Sequence, residues 1–185
     1  MDEKTFFEVF PTLELKKDVS GIFADAVITH MTMNSARTSV KIHIRFKRLV
    51  GRGVIVYAEN EIKRQIRPFF SMEVKICERF ELSSLHTPQS ILKEYGDSIL
   101  FELERQSMIK HQIFKEAELE ADDGHNIRMS VQDTFVARKF AGEIADMLGD
   151  IMENRFGFDT KVDIIYTEPK ESRHKRDAEY KLDRM

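Results

Sequence analysis

The chain has 185 residues, of which 42% are hydrophobic and 33% charged, and its formal net charge is −3. No apolar run approaches the roughly 20 residues of a membrane-spanning helix, and the acidic opening MDEKTFFEVF lacks the basic region of a secretory signal. We therefore expect a cytoplasmic protein with no membrane partner. The single cysteine, Cys77, excludes an internal disulfide and a cysteine metal site.

Charge is distributed unevenly along the chain. Residues 1–80 hold 14 Lys and Arg against 10 Asp and Glu, a net of +4, whereas residues 81–168 hold 9 against 18, a net of −9. This asymmetry indicates either two units that face different partners or two complementary halves that pack together. Residues 169–185 begin at Pro169, alternate in charge and read as a linker or tail.

In the first half, a period of two predicts antiparallel strands over Ala26 to Ala36 and Ser39 to Val50, joined by a turn. A helix ending before Pro68 follows, and MEVKICERFEL alternates again as a third strand. The predicted helix face consists of Val54, Ala58, Ile62 and Ile66.

The second half begins with a helix capped by Thr87, with Pro88 at its first position, and a shorter helix covers Ile109 to Phe114. The first of these helices buries Ile91, Tyr95, Ile99 and Leu103.

Two strands in AELEADDGHNIRMSVQD then flank a turn at Asp122, Asp123 and Gly124. A long helix from Thr134 to Arg155 and a strand in TKVDIIYTE complete the second half. The predicted face of the long helix is Val136, Phe140, Ile144, Met147, Leu148 and Ile151.

The two halves repeat one pattern, because the strand residues Val40 and Ile127 align at an offset of 87, and Val74 and Val162 at 88. The predicted fold is α+β, with two small KH-like units of strand, strand, helix and strand, the second preceded by two helices. The predicted domains are residues 1–82 and 83–168, with a charged tail over 169–185. Neither unit carries the GxxG loop with which KH domains bind single strands.

Catalytic motifs are missing from the sequence. The six histidines show no metal-ligand spacing, Asp122 and Asp123 fit a solvated turn, and Gly51 and Gly53 lack the rest of a phosphate-binding motif. We therefore expect no catalytic residues, no metal and no cofactor, and a binding role is the better hypothesis.

The clearest candidate for a binding surface is the second strand. Basic residues alternate there with apolar ones, so that one face of the sheet is basic. The alternative interpretation is an ordinary solvated face. The candidate surface for an acidic protein or a nucleic acid comprises Lys41, His43, Arg45 and Lys47 of the strand with Lys63, Arg64 and Arg67 of the next helix. An alternative anchor is the exposed part of the cluster Phe6, Phe7, Val9 and Phe10.

Several segments in order resemble one family. FFEVFPTLEL, TSVKIHIRFKRLV, EIKRQI, VKICERFELSSLHTP, ILKEYGDSILFELE, QDTFVARK and ENRFGFDTKVDIIY resemble the amino-terminal region of PolC-type DNA polymerase III alpha subunits, over about Phe6 to Glu168. The resemblance implies two small N-terminal domains, of which the first tethers the polymerase to the clamp-loader tau subunit. It also implies a parent enzyme with DNA polymerase and proofreading exonuclease activities in segments that this sequence does not contain.

The resulting hypothesis is a non-catalytic docking part of a replicative polymerase, with tau and the rest of the polymerase in cis as partners. Two alternatives stay open. One is a single-stranded nucleic-acid-binding module that assists template handling, although the basic strand lacks interleaved aromatic residues. The other is a stand-alone regulator that competes with the polymerase for its partner.

Overall fold

The computed structural model describes residues 3–69, 71–122 and 126–168. In these ranges the chain is α+β, as predicted, with two sheets and six α-helices. The first unit (residues 3–82) contains β1 (Lys4–Thr5), α1 (Phe6–Val9), α2 (Lys17–Phe23), β2 (Val27–Met33), β3 (Ser39–Phe46), α3 (Arg52–Ile66) and β4 (Glu73–Phe80). The second unit (residues 83–168) contains α4 (Pro88–Gln106), α5 (Met108–Glu116), β5 (Glu118–Ala121), β6 (Asn126–Gln132), α6 (Phe135–Ile151), a π-helical turn (Met152–Phe156) and β7 (Lys161–Thr167).

Both sheets have the same topology. In the first sheet the order is β1-β2-β3-β4, and β3 is antiparallel to β2 and parallel to β4. In the second sheet the order is β5-β6-β7, and β6 is antiparallel to β5 and parallel to β7. Val40 pairs with Val74 and Ile127 with Val162, so the register of the two sheets agrees with the sequence offsets. The repeat of sequence pattern is therefore a repeat of topology and register.

Two short helices lie between β1 and β2 of the first unit, and the sequence analysis missed them. The carboxylate of Glu8 accepts hydrogen bonds from the backbone N–H and the hydroxyl of Thr5, which caps α1. The side chains of Phe6 and Phe23 are fully buried and fix α1 and α2 to the core. Helices this short have no long apolar period to detect. The burial of Phe6 removes it from the alternative anchor, whereas Phe7, Val9 and Phe10 stay partly accessible.

The predicted start and buried face of α4 are confirmed. Thr87 caps the helix by accepting a hydrogen bond from the backbone N–H of Ser90. The predicted face residues are all 1% exposed or less, namely Ile91, Tyr95, Ile99 and Leu103.

The predicted face of the long second-unit helix is partly wrong. Ile144, Leu148 and Ile151 are buried as predicted, but Val136 is 44% exposed. The buried stripe instead runs through the small residues Ala137, Ala141 and Ala145. Alanines let a helix lie close to a sheet, and a search for large apolar side chains passes over them. The α-helix also ends at Ile151, and a π-helical turn continues it to Phe156.

Other predicted elements are present but differ at their ends or in their buried residues. The second strand ends at Phe46 rather than Val50, and in α3 Ile55 is buried in place of the partly buried Val54. Asp123, Gly124 and the predicted tail over 169–185 lie outside the described residues.

A chain of aromatic rings connects the two units. In the first unit Phe46 lies 6.0 Å from Phe80, between ring centroids. Phe80 then contacts Tyr95 at 5.6 Å and Phe156 at 5.1 Å, both of which belong to the second unit. Tyr95 and Phe156 meet edge to face at 5.2 Å. The two units therefore share one apolar core.

A buried ionic network lies beside these rings and joins the same two units. Arg52 of α3 donates to the carboxylate of Glu78 on β4 at 2.9 Å, and Nε of Arg155 lies 3.2 Å from the other oxygen of Glu78. Arg155 also forms a bidentate pair with Glu102 of α4. The side chains of Glu78 and Arg52 are 2% and 9% exposed.

The hydroxyl group of Tyr95 and the main chain of β4 complete the network. Tyr95 donates to Glu78 at 3.4 Å and accepts from Arg155 at 3.2 Å. Glu59 of α3 accepts from the N–H of Ile76 at 2.8 Å, while Arg52 donates to the Ile76 carbonyl at 3.4 Å. Side chains of α3 thus close the outer edge of β4 at this position.

Burial sets the protonation behaviour of the network. Burial raises the pKa of the Glu78 carboxyl, and the positive charges of Arg155 and Arg52 work against that rise. Burial alone would lower the pKa of Arg155, but its pairs with Glu102 and Glu78 raise it overall. The charged state of Glu78 and Arg155 therefore depends on partners from both units.

Replacing Arg155 with alanine should destabilise the protein strongly, because Glu78 and Glu102 then lose a buried counter-charge. We expect the free energy of unfolding to fall by about 3 kcal/mol. Urea unfolding followed by circular dichroism measures this change. Glu73→Gln is the control, since the Glu73 side chain is 71% exposed in its pair with Lys63, and the expected loss is below about 0.5 kcal/mol. Equal losses in the two variants would contradict a stabilising role for the network.

Candidate interaction surface

The first sheet has one covered face and one open face. The even-numbered residues of β3 and β4 are buried, and they share a core with Ile55, Ala58 and Ile62 of α3. The odd-numbered residues are exposed or half-buried. Directly paired residues of neighbouring parallel strands share a face, so both strands contribute odd-numbered side chains to one open surface.

This open face is basic across both strands. Lys41 pairs with Lys75, His43 with Cys77, and Arg45 with Arg79. The structure therefore adds Lys75 and Arg79 to the predicted Lys41, His43 and Arg45. The alternation in MEVKICERFEL carries the signal for both, but the sequence analysis used it only to place a strand. Lys47 is exposed one residue beyond the end of β3.

The basic groups differ in how far they are neutralised. Arg45 pairs with Glu3 and also with Glu81, at 3.2 Å. Among the described residues, Lys41, Lys75 and Arg79 form no ion pair. Like charges on directly opposed positions repel each other, so an acidic partner would relieve this repulsion. The Arg79 guanidinium also approaches the second unit, because a Cβ on Gly157 would lie 3.5 Å from its Nη2 atom.

The remaining candidate residues lie on the other side of the sheet. Lys63, Arg64 and Arg67 belong to the C-terminal end of α3, which packs on the covered face. Lys63 pairs with Glu73, and Arg64 with Glu61. The seven candidates thus form two separate surfaces, because the sheet lies between α3 and the open face.

A groove of about 740 Å³ runs along the open face to the junction between the units. The second unit closes one end of the groove with Asn154 and Arg155. The lining side chains on the first sheet include Thr29, His30, His43, Lys75, Cys77 and Arg79. No aromatic ring of Phe, Tyr or Trp is among the described groove residues, so the groove lacks the large aromatic platforms that single-strand-binding proteins use.

Two histidines stack on this face. The rings of His30 and His43 lie 3.9 Å apart between centroids, at an interplanar angle of 13°. Burial lowers the pKa of His43, and the nearby charges of His30 and Lys41 lower it further. A lowered pKa favours the neutral ring of His43 at neutral pH.

The other chemically suggestive residues have structural partners. Asp122 accepts from the backbone N–H and the side-chain amide of Asn126, as in an ordinary turn. The backbone N–H of Arg52, which follows Gly51, donates to Ser98 of α4. Burial raises the pKa of the half-buried Cys77 thiol. Across ranges 3–69, 71–122 and 126–168, no group of three or more His, Cys, Asp or Glu could hold a metal ion.

A second, apolar surface lies at the far end of α3. A cleft of about 220 Å³ is lined by Val9, Phe10, Leu13, Ile66 and Phe69, among others. Phe69 is 78% exposed. This cleft is where the alternative aromatic anchor of the sequence analysis remains accessible.

The fold is an α+β repeat whose first sheet has an open face that carries several basic side chains. Residues 5–76 match the family described as DNA polymerase III polC-type N-terminus I. The match confirms the resemblance to the N-terminal region of PolC-type polymerases over these residues of the first unit. No curated protein matches the chain. Within the described part of the chain, no helix is both long and apolar enough to cross a membrane.

The lowered pKa of His43 predicts loss of stability in weakly acidic solution. Below about pH 6.5, the usual pKa of histidine, His43 binds a proton more readily in the unfolded chain than in the folded protein. The free energy of unfolding therefore falls as the pH drops below that value. Urea midpoints between about pH 7 and pH 5 should therefore fall less in His43→Gln than in the wild type.

An NMR titration gives the matched control. His30→Gln should move the pKa of His43 back towards its usual value, because one of the charges that lowers it is gone. An unchanged titration of His43 in that variant would contradict the coupling of the stacked rings.

Proposed function

We propose that this chain is the non-catalytic N-terminal part of a PolC-type replicative DNA polymerase and docks the polymerase to the clamp-loader tau subunit. The match of residues 5–76 to the N-terminal family is the observation that carries the proposal. The rest of the polymerase would act in cis, in the cytoplasm, and the docking step needs no cofactor from this chain.

The open face of the first sheet is the proposed contact surface. Lys41, Lys75 and Arg79 lie side by side without an acidic partner among the described residues, in or beside a groove of about 740 Å³. A surface with this charge favours an acidic segment of a protein, since complementary potentials speed encounter and fix orientation. The groove also has rigid walls, because β4 and the π-helical turn are held by the network around Glu78.

Single-stranded nucleic acid is the alternative ligand for the same face. The basic side chains favour it, since phosphates bind Lys and Arg regardless of sequence. The lack of Phe, Tyr and Trp rings among the described groove residues argues against it, because stacking on such rings supplies much of the affinity for single strands. We therefore place protein docking first.

Charge reversal on the open face should weaken tau binding. For Lys41→Glu with Lys75→Glu we expect roughly tenfold weaker binding to the purified C-terminal domain of tau, with a smaller salt dependence. Calorimetric titration near physiological salt measures both effects. Arg45 is left unchanged in this variant because it already pairs with Glu3 and Glu81.

A matched control places the same charge change on the opposite side of the sheet. Arg64→Glu with Arg67→Glu alters exposed positions of α3 and should leave the affinity within about twofold. Equal losses in both double variants would rule out the open face as the contact surface. Loss only in Phe69→Ala would move the contact to the apolar cleft.

Single-stranded DNA is titrated in parallel with the tau domain. DNA binding whose logarithm falls with the logarithm of salt by roughly 0.7 per phosphate, without tau binding, would replace docking by template handling. Saturable tau binding with weak DNA binding supports the proposal.

A further inference from the structure

The stacked histidines lie in the middle of the basic face of the first sheet. His30 of β2 pairs with His43 of β3, and the two rings stack at 3.9 Å between centroids. Along the same face, the Lys41 and Lys75 pair lies on one side of His43 and Arg79 lies towards the other. His30 is exposed and His43 is half-buried. An acidic segment bound on this face would therefore contact both rings.

The carboxylates near the two rings are already neutralised. Three carboxylates line the groove, and each pairs with one or two arginines. These pairs are Glu81 with Arg45, Glu78 with Arg52 and Arg155, and Glu102 with Arg155. Among the described residues, neither histidine forms an ion pair. No groove carboxylate is thus left over to stabilise a charged imidazole.

The remaining titratable groups of the groove oppose a charge on either ring. Lys75 and Arg79 are cations on the same face, and like charges disfavour protonation. The thiol of Cys77 stays neutral, since burial raises its pKa. The lowered pKa of His43 agrees with these surroundings. Only a negative charge from outside the described groove would reverse this balance.

Hydrogen bonding leaves one nitrogen of His30 open to a proton. The Thr29 hydroxyl donates to the carbonyl oxygen of His43 at 3.3 Å and lies 3.2 Å from Nδ1 of His30. A hydroxyl has a single proton, so Thr29 accepts from an Nδ1–H group of the neutral His30 ring. Nε2 of His30 is then the atom that takes up a further proton. Two charged rings in a stack repel each other, so the pair binds one proton more readily than two.

We propose that the stacked pair of His30 and His43 belongs to the docking surface and binds one proton when an acidic segment occupies the groove, an inference that rests on the docking function proposed above. Carboxylates of the segment supply the negative charge that the face lacks, and an opposite charge within about 4–6 Å favours the protonated ring. Binding and protonation are linked, so each strengthens the other by the same factor. Affinity for an acidic segment therefore rises as the pH falls through the range in which the pair titrates.

The test compares affinities of the full chain at about pH 8 and about pH 6 for two acidic probes. One probe is the purified C-terminal domain of tau, and the other is a capped hexaglutamate peptide. The carboxyl groups of the peptide have pKa values near about 4.3 and stay ionised at both pH values. We expect roughly fivefold tighter binding at the lower pH. In an NMR titration, saturating hexaglutamate should raise the pKa of His43.

A double variant and a matched control locate the effect. His30→Gln with His43→Gln removes both titrating rings and keeps polar side chains, so the two affinities should agree within about twofold. His86→Gln makes the same substitution at a histidine that lies outside the groove beside Ser83. This control should keep the roughly fivefold ratio of the wild type.

Equal affinity of the wild type for hexaglutamate at both pH values would overturn the inference, as would no binding of this peptide at all. An unchanged titration of His43 in the complex, or a full ratio in the double variant, would overturn it as well. Absence of tau binding alone contradicts the proposed docking instead. Proton-linked binding of hexaglutamate in that case still supports the role of the histidine pair.

Discussion

The buried carboxylate of Glu78 is the constraint on which the arrangement of the two units depends. A carboxylate at 2% exposure is stable only with compensating charge, and its partners Arg52 and Arg155 come from different units. The same arginines bind Glu102, and Tyr95 bridges the set. The network lies beside the Phe80, Tyr95 and Phe156 rings, so the apolar and ionic contacts across the junction support each other. A groove that spans the junction keeps its shape for this reason.

The two units share a topology but present different surfaces to partners. In the first sheet the open face carries Lys41, Lys75 and Arg79. In the second sheet the corresponding face mixes acidic Glu118, Glu120 and Asp163 with basic Arg128 and Lys161. The core positions are conserved in pattern between the units because packing demands the same apolar alternation. The solvent-facing positions have no such constraint, so charge has diverged on the same framework.

Position in the repeat also decides which strand edges are open. The second unit packs against the first at β4, and α3 side chains bond to Ile76 on that edge. The corresponding strand β7 has no following unit among the described residues. An exposed edge beside Phe135 and Tyr166 is a feature that folded proteins either protect or use for binding. The edge of β4 is thus bonded to α3 side chains, whereas β7 is an outer strand of its sheet among the described residues.

Local periodicity and capping were enough to predict the α+β class, the strands, the start of α4 at its Thr87 cap and the repeat. The sequence also indicated the basic strand around Lys41. The packing of α3 on the sheet places Lys63, Arg64 and Arg67 on the opposite side from that strand. The pairing of β3 with β4 adds Lys75 and Arg79 to the open face. Only the tertiary structure brought Glu78, Glu102 and Arg155 together. Periodicity assigns a residue to a face of its own element, whereas contacts between distant segments depend on how elements pack, and one sequence carries no local signal for that.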